Sequence, residues 1–178
     1  MFIHGRLPLL LLALVVAGCT SAPPSGGLGG NGGQWEVTLA GSGASDKNVE
    51  SGVASASGSL GYLLGDHFEL AVRQSVGFAD VPGSGSTTDA STRGAADLIL
   101  FSGPFRPVLG ASFGRVYGDT VRETWVAGPE AGFKLYIKRD VFLELLAEYQ
   151  FFFEHGDQAN DAFDDGSFVY SLGFGVNF

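Results

Sequence analysis

The sequence predicts an all-β fold: an eight-stranded antiparallel up-and-down transmembrane β-barrel with short periplasmic turns and longer external loops. Three observations predict it. From Gln34 onward, large apolar residues recur with a period of two, not 3.6. The connections between these runs alternate between short and long. The face opposite the apolar one is mostly Gly, Ala and Ser with isolated charges, not the Lys/Glu-rich surface of a soluble barrel.

The runs come in order. "QWEVTLA" sets Trp35, Val37 and Leu39 against Glu36 and Thr38. A weaker, Gly/Ser-rich strand follows over about 54–64. "FELAVRQSVGF" sets Phe68, Leu70, Val72, Val76 and Phe78 against Glu69, Ala71, Arg73, Ser75 and Gly77. Two further strands are expected over about 92–101 and 106–117. "ETWVAGPEAGFKLYI" sets Trp125, Ala127, Pro129, Ala131, Phe133, Leu135 and Ile137 against Thr124, Gly128, Glu130, Gly132 and Lys134. "VFLELLAEYQFFFE" sets Leu143, Leu145, Ala147, Tyr149, Phe151 and Phe153 against Glu144, Glu148, Gln150 and Glu154. The chain closes on "GSFVYSLGFGVNF", in which Phe168, Tyr170, Leu172, Phe174, Val176 and Phe178 oppose Val169, Ser171, Gly173, Gly175 and Asn177.

The connections "SGASDKNVES", "ADVPGSGSTTDAS" and "HGDQANDAFDDG" are long, "GDTVRE" is intermediate, and "GDH", "SGPF" and "KRD" are short. That pattern suits a meander whose two ends face different compartments. Glu69, Arg73, Asp97, Glu130, Lys134, Glu144 and Glu148 are then lumenal, since eight strands leave room only for side chains. Trp35, Phe78, Tyr117, Trp125, Phe151 and Phe153 form an interfacial girdle on the other face. The barrel must close, because a lipid-exposed strand edge leaves backbone groups unpaired at several kcal/mol each.

The chain has 178 residues, of which 16% are charged, and a formal net charge of −9. An acidic chain poor in charge is not built for nucleic acid. The start, "MFIHGRLPLLLLALVVAGC", has a basic Arg6 and an apolar stretch too short to span a bilayer, so residues 1–18 read as a signal peptide. Its "VAGC" resembles the bacterial lipoprotein box. The resemblance implies cleavage before Cys19 and a diacylglycerol thioether on it. Thr20 in the next position permits export to the outer membrane. Residues 19–33 are Gly/Ser/Pro-rich and read as a tether, leaving 34–178 for the barrel.

"RPVLGASFGRVYGD", "GPEAGFKLYI", "FLELLAEYQFFF" and the C-terminal strand together resemble the bacterial outer-membrane β-barrel domain family of OmpA-like and OmpX-like eight-stranded barrels. The resemblance runs over about 34–178 and implies residence in the outer membrane among lipid and lipopolysaccharide. The alternation Tyr170, Leu172, Phe174, Val176 and Phe178 resembles the signal read by the barrel-assembly machinery. No peptidoglycan-binding segment follows, so the resemblance implies no cell-wall role. The barrel is expected to be a monomer without a cofactor.

Catalysis finds little support. His67 falls in a turn, and His155, beside Glu154 and Asp157, offers one rim cluster of the kind a barrel enzyme would need. Asp157, Asp161, Asp164 and Asp165 lack the spacing of a calcium loop, so they read as a solvated acidic loop, with weak divalent binding near lipopolysaccharide phosphates as the alternative. The "KRD" turn places Lys134 opposite Glu144 and Glu130 opposite Glu148. The second pair is like-charged and needs a cation, which Arg73 could supply. The expectation is a lumenal network of Arg73, Glu130, Lys134, Glu144 and Glu148 that plugs the barrel. "GQW" at Gly33–Trp35 leaves one rival fold, a soluble lipocalin-like lipoprotein carrying a hydrophobic ligand.

Overall fold

The computed structural model describes residues 33–45, 52–81, 85–118, 124–153 and 166–178. Eight strands account for nearly all of them: β1 Trp35–Ser45, β2 Gly52–Leu64, β3 Phe68–Val81, β4 Gly85–Ile99, β5 Phe105–Gly118, β6 Thr124–Tyr136, β7 Val141–Phe153 and β8 Ser167–Asn177. Each pairs antiparallel with the next, and β8 returns to β1, so the sheet is a closed barrel. At the seam, the Trp35 amide donates to the Phe178 carbonyl at 3.0 Å and the Phe178 amide to the Trp35 carbonyl at 2.9 Å.

The stagger follows from the ladders. A row of paired residues starts at Phe153 and passes through Trp125, Arg115, Thr92 and Gln74. It continues through Gly58, Leu39 and Phe174 and re-enters β7 at Leu143. The start and end of the circuit, Phe153 and Leu143, are ten residues apart. Eight strands with that stagger make a narrow, strongly tilted barrel.

Alternation then sorts the side chains. Leu39, Val72, Phe113, Phe168, Leu172 and Phe174 stand on the outer wall and are exposed. Glu36, Glu69, Asp97, Glu130, Lys134 and Glu148 point inward and are buried. A soluble barrel is built the other way round, so this distribution excludes the lipocalin-like alternative. Of the expected girdle residues, Trp35, Phe78, Tyr117, Trp125 and Phe153 are exposed on the outer wall, and Phe151 is half-buried.

The outer wall carries a closed ring of polar side chains. The Thr92 hydroxyl donates to the Gln74 carbonyl oxygen at 2.6 Å, and the Gln74 amide donates to the Tyr117 hydroxyl at 2.9 Å. Tyr117 and Thr92 close the ring at 3.0 Å. Each polar group is satisfied by the other two, which is how such groups survive on a wall facing an apolar medium.

Several boundaries differ from the sequence reading. β4 begins at Gly85, not near Thr92, so most of the stretch read as a long connection is strand paired to β3 as far as Val81–Gly85. β1 likewise runs on to Ser45. These extensions lack large side chains, so they show no apolar alternation, and only the neighbouring strand reveals them. Barrel hydrogen bonding also starts inside the expected tether, where the Gly33 amide donates to the Leu63 carbonyl at 2.7 Å. The short turns use Gly65 and Gly103 at φ of 72° and 126°, where a side chain would be strained.

Candidate functional site

The lumen is the candidate site, and it is stratified. At the short-turn end, Leu63, Ile99 and Val108 form a buried apolar cluster. Tyr136 and Phe142 pack beside one another there, with ring centroids 5.1 Å apart. Asn177 donates to the Tyr136 hydroxyl at 3.2 Å, and the Arg106 guanidinium lies 4.9 Å from the centre of the same ring. These residues close that end. They share a parity with the lumenal charges, so alternation alone places them inside, although the sequence reading counted only the small and charged residues there.

Above this plug lies a charged layer. The Lys134 ammonium sits 2.5 Å from Glu36 and 2.5 Å from Glu69, with Glu144 at 3.8 Å. Thr38 adds a hydrogen bond to Glu36 at 3.5 Å. Arg73 spans Asp97, at 2.7 Å, and Glu130. Arg93 pairs with Glu148, which also accepts from the Ser112 hydroxyl. Six carboxylates thus share three cations. Several oxygens stay without a hydrogen-bond donor, namely Glu36 Oε2, Asp97 Oδ1 and Glu130 Oε1. The Arg93 Nε–H has no acceptor either. Glycine makes the layer possible at Gly110, where a Cβ would collide with the Asp97 carboxylate and the Ala96 carbonyl.

Toward the loop end the lumen widens into a cavity of about 340 Å³, with Arg73, Arg93, Glu144 and Glu148 at its base. Its walls are hydroxyl-rich. Ser75 and Ser91, which line it, are hydrogen-bonded to each other at 2.7 Å.

The expected register is the one found: Lys134 lies opposite Glu144, and Glu130 opposite Glu148. The expected role of Arg73 needs correction. It reaches Glu130 but not Glu148, whose cation is Arg93. Arg93 is opposite Arg73 on the adjacent strand and shares its inward parity, so the expectation could have included it. Glu36 and Glu69 also join the layer through Lys134 on a strand far away in sequence, and Asp97 joins through Arg73 on the adjacent strand. Tyr170, Leu172, Phe174, Val176 and Phe178 all stand on the outer wall. Cys19, His155, Asp157, Asp161, Asp164 and Asp165 lie outside the described residues. Among the described residues, no group of three or more His, Cys, Asp or Glu is placed to hold a metal ion.

A closed barrel with an apolar outer wall and an ionic interior belongs to the class of membrane β-barrels. Its architecture is similar to the N-terminal β-barrel domain of OprF from Pseudomonas aeruginosa, at 21% identity and a TM-score of 0.55, covering 84% of this chain and 100% of that one. It is similar to Neisserial surface protein A (NspA), at 19% identity and a TM-score of 0.57, covering 83% and 97%. It is also similar to OprG from Pseudomonas aeruginosa, at 12% identity and a TM-score of 0.54, covering 84% and 98%. At these identities the likeness establishes the fold, the closed eight-stranded barrel of bacterial outer-membrane proteins. No protein-family model and no curated protein matches the chain.

Proposed function

We propose that this protein is a small outer-membrane β-barrel with a structural or interaction role in the cell envelope, and that it is not a wide pore. The observation that carries the reading is the stratified lumen: an apolar plug beneath a layer of interlocked charges. A continuous water path would have to cross both. In this reading the short turns face the periplasm, the loops face outward, and the protein works as a monomer through its outer wall and its loop end. The barrel-assembly machinery reads the C-terminal strand through Phe178 and the alternating residues before it. Cys19 adds a lipid tether, whose buried methylenes each contribute about 0.8 kcal/mol to attachment. No reaction is assigned.

Conductance in planar bilayers tests the reading. The reconstituted protein is expected to give no large, steady single-channel currents, and such currents would overturn the plugged lumen. Membrane fractionation with unboiled gels tests the location. A compact, heat-modifiable band that needs detergent, in the outer-membrane fraction, is expected. The intact mass of protein extracted from membranes tests the anchor, which predicts a diacylglycerol adduct that Cys19→Ser removes.

A further inference from the structure

Neighbouring strands pair over ten or more residues everywhere except at one seam. The β1–β8 ladder runs from Glu36–Asn177 to Gly41–Leu172, with Trp35 and Phe178 bonded below it. β1 nevertheless continues to Ser45 against β2, and β8 begins at Ser167 against β7. Beyond Gly41 and Leu172, the edges Ser42–Ser45 and Ser167–Ser171 carry no ladder between them among the described residues. Leu172 is six residues above Phe178. In strands tilted by about 40°, six residues climb about 15 Å of an apolar band about 25 Å tall. The split therefore opens midway up the lipid-facing wall.

Hydrocarbon cannot satisfy the backbone groups exposed along such a split, at several kcal/mol each. They must be met from inside, where the cavity borders the split. Gly41 on one lip and Val169 and Ser171 on the other all belong to its lining. The interior is hydroxyl-rich, with Ser55, Ser57, Ser59, Ser75 and Ser91 around it. At its base Arg93 is paired with Glu148. Outside the split, Leu39, Tyr170 and Leu172 are exposed.

We infer that the β1–β8 split is a lateral portal through which an uncharged single-chain amphiphile with a hydroxylated head enters the lumenal cavity from the surrounding bilayer. The head lies among the serines, above the Arg93–Glu148 pair. The chain leaves through the split and lies along Leu39 and Leu172. A neutral head fits best: an anion would meet Glu144 and Glu148, and a cation would meet Arg73 and Arg93, all at the cavity's base. A volume of about 340 Å³ is at the small end for ligand pockets. It suits a glycerol- or hexose-sized head and excludes a bulky multi-chain glycolipid. The inference rests on the membrane reading above.

Native mass spectrometry of the full chain, released from detergent with 1-monooleoylglycerol, tests it. A single saturable adduct is expected. Lysophosphatidic acid with the same chain should bind about tenfold more weakly. Ser57→Trp, which fills the cavity, should weaken the adduct about tenfold or more, and Leu98→Trp on the outer wall of β4 should leave it unchanged. Ser57→Ala with Ser59→Ala removes two lining hydroxyls with little change of volume, and should weaken binding about tenfold, the scale of one hydrogen bond in a buried site. This second variant decides between the outcomes if Ser57→Trp fails to assemble. Multiple non-saturating adducts, or equal adducts in the wild type and the assembled cavity variants, would overturn the portal. A wild type with no heat-modifiable band would instead overturn the membrane reading.

Discussion

Lys134 holds the most concentrated set of interactions in the lumen. Its side chain is 2% exposed, and its ammonium touches carboxylates from β1, β3 and β7. Removing it leaves Glu36 and Glu69 buried without their cation, and breaking a buried ion pair from one side typically costs about 3–5 kcal/mol. Lys134→Met is therefore expected to lower the denaturant midpoint of the reconstituted barrel strongly, read from Trp35 and Trp125 fluorescence. Adding Glu36→Gln and Glu69→Gln should recover much of the loss. On the outer wall, Thr92→Val opens the Gln74–Thr92–Tyr117 ring and leaves the Gln74 carbonyl oxygen without its donor, at about 1–3 kcal/mol. Replacing all three, with Gln74→Leu and Tyr117→Phe beside it, should restore stability in the same assay, because no polar group is then stranded. Parity in the sequence put Lys134 inside and Gln74 outside. It could not show that either had a closed set of partners.

At the level of strands, the eight do not share a common stability. β3 and β4 pair along their whole lengths, whereas β1 and β8 meet over six residues. Local opening follows the density of paired backbone. Hydrogen–deuterium exchange of the protein in detergent should therefore be faster in peptides covering 42–45 and 167–171 than in those covering 70–77. Uniform protection would mean that the seam is zipped in solution. The sequence showed which strands exist wherever large side chains alternate, as in Leu143–Phe153. It failed at "GSTTDAS", where both faces are small or polar and nothing marks the strand until β3 is set beside it.

For the molecule as a whole, the barrel is held by closure and by a lumen whose charged layer ties strands across the ring. Closure runs through the C-terminus, since Phe178 exchanges both backbone hydrogen bonds with Trp35. Deleting Phe178 removes those bonds as well as the terminal aromatic side chain. The heat-modifiable fraction of newly made protein is expected to fall several-fold, while total synthesis stays the same. An undiminished folded fraction would show that closure does not depend on the last residue.

The sequence by itself determined the all-β class, the eight strands, the inward or outward facing of nearly every side chain, and the β6–β7 register. A period of two assigns parity without reference to any neighbour, and a short turn fixes which residues face each other across it. The tertiary structure alone decided which charges pair, how the plug is layered, and where the wall splits. Lys134 and Glu36 are 98 positions apart and on strands that do not adjoin. Their meeting depends on the stagger accumulated around the whole ring, which is a property of the closed barrel and of no single segment.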